Sequence, residues 1–421
     1  MDLTDQMSEL AGQAKRASRL LTRISTDDKN ACLLEMAEAL ENNTALIQKA
    51  NAKDMDTGRE MGLSQAMLDR LLLNDDRIAG MATGLREVAQ LPDPVCRVLD
   101  ERKRPNGLIL RKISTPIGVI VIIYESRPNV TADAAGLCFK SGNATILRGG
   151  KEALHSNRMI AQLMVEAGCN ASGDFPEHSI QVVPTTDRAA ISELLAQTES
   201  VDLCIPRGGE GLIRAVAECS RVPVIKHYKG ICSVYIDRSA NSEMALQIAV
   251  NSKTHRPGVC NAMETLLIDE DIAASVLPRM DEAMKKYGVE LRADEKALEI
   301  LGDGCKAAVT EDWDMEYLDL ICAVRLVQGL DEAIDHINNH GSGHTDTIVT
   351  DDAAAAARFQ NEVDSSTVFW NASTRFTDGG QFGMGAEIGI STDKIGARGP
   401  MGLAELTSYK WLGMGNGLIR E

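Results

Sequence analysis

Apolar residues recur at helical spacing through the chain up to about residue 95. Leu33, Met36, Ala37 and Leu40 fall on one face of such a helix, and the positions between them are mostly polar. The first part of the chain is therefore predicted to be helical.

The helical pattern breaks at 102–107. Asn106-Gly107 follows Leu99 and precedes three apolar residues at 108–110, and an Asn-Gly pair between apolar runs is typical of a β-hairpin turn. The longest apolar run, 117–124, comes next and is predicted to be a central strand.

From this strand onward, short apolar runs alternate with helical patterns. Strands are predicted at 144–147, 180–183 and 201–205 and from 224, and helices at 152–167, 187–197 and 211–219. A second alternating set begins near Ser242 and continues to about 390. Strands separated by helices form parallel βαβ units, so the sequence predicts an α/β protein with doubly wound sheets.

Composition and charge exclude several classes of partner. The chain has 421 residues, a net charge of −17 and only 4% aromatic residues. Nucleic acids and acidic membranes attract proteins of the opposite charge, so neither is expected as a partner. No cationic segment begins the chain and no apolar run is long enough to span a bilayer. The ten cysteines include no C-x-x-C pair, and such dispersed thiols favour a reducing, cytoplasmic location.

One cysteine, Cys260, stands in a setting that suits chemistry. A helix is predicted over 242–255 and is ended by Pro257, and a buried strand is predicted over 265–268. The thiol therefore lies in a turn, where Gly258 would let a substrate approach closely. Three cationic side chains just upstream would favour the thiolate, namely Lys253, His255 and Arg256. The alternatives are a buried core cysteine and a hydrolytic dyad of Cys260 with His255.

Two glycine turns join strands to helices and are candidates for binding phosphate. The turn at 206–211 contains Pro206, Gly208 and Gly209, and the second turn is Arg148-Gly149-Gly150-Lys151. Neither is a Walker A or G-x-G-x-x-G motif, so ordinary loop geometry and a solvated basic loop are the competing interpretations.

Three histidines, at 336, 340 and 344, are spaced like metal ligands. Gly341 and Gly343 would break the helix before the third, and no carboxylate completes the set, so no metal site is expected.

Several long runs, in order, resemble those of the gamma-glutamyl phosphate reductase (glutamate-5-semialdehyde dehydrogenase) family of the aldehyde dehydrogenase superfamily. The matching runs are 62–64, 68–71, 116–120, 124–130, 140–143, 205–209, 250–265, 372–380 and 397–403. The resemblance extends from end to end. It implies an aldehyde dehydrogenase-like fold with two Rossmann-type doubly wound lobes and a small β-hairpin and C-terminal flap.

The resemblance also implies a reaction, the NADPH-dependent reduction of L-glutamyl 5-phosphate to L-glutamate 5-semialdehyde with release of phosphate. This is the second step of proline biosynthesis from glutamate. Cys260 would form a thioester with the glutamyl group. Arg127, at the place of an oxyanion-binding Asn in aldehyde dehydrogenases, and Asn129 would complete the catalytic set.

Cofactor and substrate contacts follow from the same matched runs. Arg148 and Lys151 would favour the 2′-phosphate of NADP(H), while Ser141 and the residues Pro206, Gly208 and Gly209 would line the cofactor site. Glu125 and Arg375 carry the charges needed for the ammonium and carboxylate of the glutamyl group.

A hydrolytic aldehyde dehydrogenase is the first alternative function, but His227 stands where those enzymes have the glutamate that activates water. A Cys–His acyltransferase or hydrolase that binds no nucleotide is the second, and a non-catalytic module of this fold is the third.

The expected domains are an NADP-binding domain at 1–100 and 125–235 and a catalytic domain at 236–395. An oligomerisation flap is expected at 98–118 and 396–421, because Tyr409 and Trp411 provide apolar surface near the terminus, although docking onto the core would explain them equally well. A homo-oligomer is thus expected. The resemblance leaves open an association with glutamate 5-kinase, the upstream enzyme.

Overall fold

The computed structural model describes residues 2–420 and divides them into two compact units. The first unit contains the chain up to Lys226, together with Gly383–Gly389 and the residues from Met401 onward. The second unit contains His227–Phe382 and Ile390–Pro400.

Five helices begin the first unit, as the apolar spacing predicts. They are α1 (Leu3–Leu21), α2 (Thr26–Asn42), α3 (Thr44–Glu60), α4 (Gln65–Leu71) and α5 (Asp75–Gln90). The side chains of Asp2, Ser25, Ser64 and Asn74 cap four of them by accepting from a backbone N–H of the first turn. The predicted apolar face of α2 is fully buried.

The hairpin predicted at Asn106-Gly107 is confirmed. Strand β1 (Val98–Lys103) pairs antiparallel with β2 (Ile109–Pro116), and Gly107 has a φ of 89°, which suits glycine. The other edge of β2 pairs antiparallel with β16 (Thr407–Met414), near the end of the chain. This three-stranded sheet exposes Tyr409 and Trp411.

A parallel four-stranded sheet follows in the order β5-β4-β3-β6. Its strands are β3 (Val119–Tyr124), β4 (Ala144–Arg148), β5 (Ile180–Val182) and β6 (Leu203–Arg207). The helices between and after them are α6 (Asn129–Lys140), α7 (Leu154–Ala171), α8 (Ala189–Leu195) and α9 (Glu210–Cys219). The strand predicted from Val224 is wrong, because this short apolar run makes only one isolated bridge, to Cys204.

The second unit is built on a seven-stranded parallel sheet in the order β10-β9-β11-β8-β7-β12-β13. Its strands are β7 (Cys232–Ile236), β8 (Met263–Asp269), β9 (Glu290–Ala293), β10 (Lys306–Ala307), β11 (Ile321–Val327), β12 (Thr345–Val349) and β13 (Thr367–Trp370). Two further short strands, β14 (Gly389–Ser391) and β15 (Gly399–Met401), form a small sheet of their own.

Helices cover both faces of the seven-stranded sheet. The helices are α10 (Ser242–Thr254), α11 (Glu270–Lys285), α12 (Glu295–Leu301), α13 (Leu330–His340) and α14 (Ala353–Glu362). Val234 of β7 packs in the core with α10, α11 and α12, whereas its neighbour Tyr235 packs in the core with α13 and α14. Successive strand residues thus enter opposite cores, which confirms a doubly wound sheet.

The parallel arrangement brings the segments that precede β7, β8 and β12 to the same amino edge of the sheet. Among residues 2–420, no helix is both long and apolar enough to cross a membrane.

Candidate active site

Cys260 lies in a turn at the amino edge of the second sheet, between the end of α10 at Thr254 and the start of β8 at Met263. The side chain of Cys260 is partly buried. The helix ends one residue earlier than predicted, at Thr254, since His255 forms its C-cap. The turn predicted from Pro257 and Gly258 is therefore present, and the interpretation of Cys260 as a fully buried core cysteine is wrong.

Two residues at the start of β7 and just before it contact Cys260. Gly230 lies so close that a Cβ atom on it would overlap the carbonyl group of Cys260, so only glycine fits. The Cys232 thiol donates to the Cys260 carbonyl oxygen, with a sulfur–oxygen distance of 3.2 Å. Burial, together with the nearby charges of Asp346 and Cys260, raises the pKa of Cys232 well above its usual value, so Cys232 stays a neutral thiol.

Burial also makes other cysteines of the chain less reactive. Burial is the main cause of a raised pKa at seven further positions: Cys32, Cys138, Cys169, Cys204, Cys219, Cys305 and Cys322. A raised pKa lowers the fraction of nucleophilic thiolate at neutral pH.

Lys253 was expected to favour the thiolate of Cys260, but its charge is compensated elsewhere. Its Nζ lies 2.6 Å from Oε2 of Glu264, and both side chains are completely buried. This pair joins the last turn of α10 to β8, and so fixes the two ends of the turn that carries Cys260.

The structure brings the charge of Arg375 near Cys260. Burial and the charge of Arg256 lower the pKa of this guanidinium, whereas the charges of Cys260 and Asp378 raise it. Arg375 Nε donates to Nδ1 of His255 at 3.4 Å. His255 Nδ1 therefore accepts a hydrogen bond from Arg375. This contact suits a histidine that orients Arg375, and does not suit a base that activates Cys260.

Arg375 also lines a cavity of about 330 Å³ together with Asn251, His255, Phe376, Asp378 and Gln381. The segment that carries Arg375 is fixed to the amino edge of the sheet. Asn261 Nδ2 donates to Thr377 O at 2.8 Å, and Thr345 Oγ1 donates to Thr377 Oγ1 at 2.9 Å. Asn261 follows Cys260 directly, so Cys260 and the cavity share this support.

His227, which the family resemblance predicts to replace the water-activating glutamate, lies beside His344, with ring centroids 5.8 Å apart. Burial and His227 lower the pKa of His344 to about 3, so His344 is neutral at physiological pH. The other two spaced histidines lie elsewhere: His336 contacts Arg325, and His340 contacts Asp314. Within residues 2–420, no group of three or more His, Cys, Asp or Glu side chains could hold a metal ion.

The predicted residues after β3 lie in the first unit. Glu125 Oε1 accepts from the backbone N–H of Gly209 at 3.3 Å, and a Cβ atom on Gly208 would lie 2.7 Å from the Glu125 carboxyl carbon. The structure thus brings Glu125, predicted for the substrate, together with a glycine turn predicted for the cofactor. Asn129 Nδ2 donates to Asp133 at 3.2 Å.

The second predicted cofactor turn lies after β4. The Arg148 guanidinium donates to the carbonyl oxygens of Gly149 at 2.6 Å and Thr186 at 3.1 Å, so it ties the loop after β5 to the end of β4. Lys151 is exposed and has no ion pair within residues 2–420. Ser141 is fully buried and its hydroxyl donates to carbonyls of α6, so its contact with a cofactor stays a prediction.

Sequence reasoning did not assign a role to Gly230, Cys232 or Asp378. Only Asp378 lies in a run used for the family resemblance, 372–380, which also contains Arg375. Only the fold shows what they contact, because they are far from Cys260 along the chain.

Comparisons with known proteins agree with this architecture. The model of the aldehyde dehydrogenase family matches residues 3–299. A gamma-glutamyl phosphate reductase of Geotalea daltonii is 53% identical over the full length of both chains, and one of Desulfatibacillum aliphaticivorans is 52% identical over the full length of both. The crystal structure of gamma-glutamyl phosphate reductase from Thermotoga maritima superposes with a TM-score of 0.96 at 44% identity, covering 99% of this chain and 100% of that one.

Proposed function

Because the chain belongs to the aldehyde dehydrogenase family and, within it, to the gamma-glutamyl phosphate reductases, we propose that it reduces L-glutamyl 5-phosphate to L-glutamate 5-semialdehyde with NADPH and releases phosphate. This oxidoreductase would thus catalyse the second step of proline biosynthesis from glutamate. The observation that carries the proposal is the partly buried Cys260 in its turn at the amino edge, with the Arg375 charge close by.

The Cys260 thiolate attacks the carbonyl carbon of the acyl phosphate. The bond between that carbon and the phosphate oxygen breaks, inorganic phosphate leaves, and a thioester remains. A reduced nicotinamide, when bound, supplies the hydride that converts the thioester carbonyl to a thiohemiacetal. The carbon–sulfur bond then breaks, which frees the aldehyde and returns the thiolate.

Negative charge develops on the substrate oxygen in both additions and requires hydrogen-bond donors. The proposed donors are the backbone N–H of Cys260 and the side chains of Arg127 and Asn129. Arg375 is proposed to bind the glutamyl carboxylate, since a guanidinium pairs with two carboxylate oxygens at once.

NADP(H) fits the residues present in the first unit. Lys151 is exposed at the start of a helical segment and has no ion pair among residues 2–420, so its ammonium is available for the 2′-phosphate. The Arg148 side chain is held by two carbonyl oxygens and would support that loop. The glycine turn at Gly208 and Gly209 provides close backbone approach. Ser141 and Pro206 remain predicted parts of this site.

The reverse reaction tests the proposal. NADPH formation from glutamate semialdehyde should require inorganic phosphate or arsenate, and Cys260→Ser should lose at least ~100-fold in rate, because a serine without a base is a far weaker nucleophile. Cys169→Ser, an exposed cysteine of α7, is the matched control and should retain activity. Oxidation that proceeds equally well without phosphate would instead identify a hydrolytic aldehyde dehydrogenase.

A homo-oligomer is part of the proposal, since β16 exposes Tyr409 and Trp411 at the edge of its sheet. A cytoplasmic location agrees with this biosynthetic role and with ten cysteines that form no disulfide. Association with glutamate 5-kinase, which would supply the acyl phosphate, stays a prediction.

A further inference from the structure

The cavity lined by Arg375 and Asp378 contains two side chains of opposite charge. Its volume of about 330 Å³ lies within the range of small-molecule sites. A site that binds only phosphate would not have an aspartate in its lining, because the two negative charges would repel each other. A ligand that carries both an anion and a cation would satisfy both side chains.

The Arg375 guanidinium is positioned but keeps donors available. Its Nε donates to His255, while the two Nη atoms have no hydrogen-bond partner within residues 2–420. Arg256 lies close enough to lower the pKa of Arg375, so the field on this side of the cavity is positive. Two parallel N–H groups in a positive field suit a carboxylate.

Asp378 is held by its own loop in a way that leaves one oxygen unused. Its Oδ1 accepts from the backbone N–H groups of Gly380 at 2.9 Å and Gln381 at 3.2 Å. Its Oδ2 has no partner in the described part of the chain. A carboxylate oriented by two backbone bonds, with a second oxygen available, suits an ammonium group.

The lining of this cavity is connected to the turn that carries Cys260. Arg375 and Cys260 are within electrostatic range of each other, and Asn261 bonds the segment that leads to Asp378. Phe376 adds an apolar surface to the lining, as the methylene groups of a glutamyl chain require. In that chain two methylenes separate the α-carbon from the reacting carbonyl.

We propose that Asp378 binds the α-ammonium of the substrate while Arg375 binds its α-carboxylate, so that the cavity recognises an α-amino acid. The assignment rests on the proposed function and replaces Glu125 as the ammonium-binding residue. Glu125 is engaged instead by the backbone of Gly209 at the start of α9. The enzyme would then distinguish amino-acid aldehydes from simple ones through Asp378.

The test compares three aldehydes that differ in one charged group at a time. Glutamate semialdehyde carries both groups, 5-oxopentanoate lacks the ammonium, and pentanal lacks both. Asp378→Asn keeps the Oδ1 acceptor for the loop but removes the negative charge. It should lower kcat/KM for glutamate semialdehyde by roughly 10–100-fold, the range for a lost charge-assisted hydrogen bond, and leave kcat/KM for 5-oxopentanoate unchanged.

Arg375→Gln should lower kcat/KM for both carboxylates by a clearly larger factor than for pentanal, because its charge near Cys260 acts on all three aldehydes and its contact with the carboxylate on only two. Asp303→Asn, an exposed aspartate of the second unit, is the control for an unspecific loss of charge. Glutamate semialdehyde cyclises in solution, which lowers the concentration of free aldehyde equally for every variant. The ratio of kcat/KM between two variants is therefore unaffected by cyclisation.

Two outcomes would overturn the assignment. An equal loss on all three aldehydes in Asp378→Asn would mean that Asp378 only supports its loop. The second outcome concerns the preference for glutamate semialdehyde over 5-oxopentanoate. If Glu125→Gln lost this preference and Asp378→Asn kept it, the ammonium would be bound by Glu125. A wild-type protein that oxidises none of these aldehydes would refute the proposed function itself, which is a different result.

Discussion

The buried ion pair between Lys253 and Glu264 should control the stability of the second unit. The pair joins α10 to β8 across the turn of Cys260, and Leu318 also donates a backbone N–H to Glu264 Oε1 at 3.3 Å. Glu264→Gln keeps the shape of the side chain and one acceptor oxygen. It removes the only formal negative charge that lies in hydrogen-bond contact with the Lys253 ammonium in the described chain.

The expected cost follows from the burial of both side chains. Removing one member of a fully buried pair leaves an uncompensated charge and typically costs about 3–5 kcal/mol of the free energy of unfolding. For a unit of this size that corresponds to a decrease in Tm of roughly 6–20 °C. Replacing both residues with apolar side chains, as in Lys253→Met/Glu264→Leu, should cost much less than the sum of the single changes, because no charge then stays buried.

Thermal unfolding followed by calorimetry, with urea unfolding as a second measure, tests this reasoning. Lys286→Gln is the control, since it breaks an exposed pair with Glu282 and should leave Tm unchanged within error. A decrease of less than 2 °C in Glu264→Gln would refute the argument. The argument would also be refuted if the double variant lost as much stability as the two single variants together.

Three further predictions concern single positions. Gly230→Ala should displace Cys260 and lower kcat by roughly 100-fold, whereas Gly173→Ala, at a glycine with open space, should not. Unchanged kcat in Gly230→Ala would contradict the close contact. Burial raises the pKa of Asp346 to about 6, above the ordinary 3.8, so the folded state retains a proton that the unfolded state loses between these values. The contribution of Asp346 to the free energy of unfolding therefore falls as pH rises from about 4 to 6. The urea midpoint of Asp346→Asn should not show this fall. Identical pH profiles of the midpoint in the variant and the wild type would contradict the prediction. Gly118 has a φ of 133° and its missing Cβ would overlap the Asp202 carboxylate, so Gly118→Ala should cost about 2 kcal/mol or more in denaturant melts, and an unchanged midpoint would show that the loop relaxes freely.

The fold was predictable where the apolar pattern and the helix-breaking residues indicate the same boundaries. The alternation of apolar runs and helical periods gave both parallel sheets, because a strand buried on two faces must be continuously apolar. Pro257 located the end of α10 to within a residue. Val224 was misassigned because a run of two apolar residues carries too little signal and pairs at a single point.

The site was only partly predictable, for a physical reason. Cys260 stands out locally, since its turn combines Pro257, Gly258 and cations. Lys253 was given the wrong partner because proximity along the chain is not contact, and Glu264, on the next strand, compensates its charge. Gly230 reaches Cys260 only because parallel strands bring distant segments to the same edge.

Because Cys260 lies at the amino edge of its sheet, the proposed reaction does not involve the opposite edge. There the chain turns after β7, β11 and β12, near Ser239, Gln328 and Asp352. These turns are accordingly the places in the second unit where a fused domain, an inserted peptide or new chain ends from circular permutation would interfere least with turnover. An engineer who wished to immobilise or tether this protein would begin there.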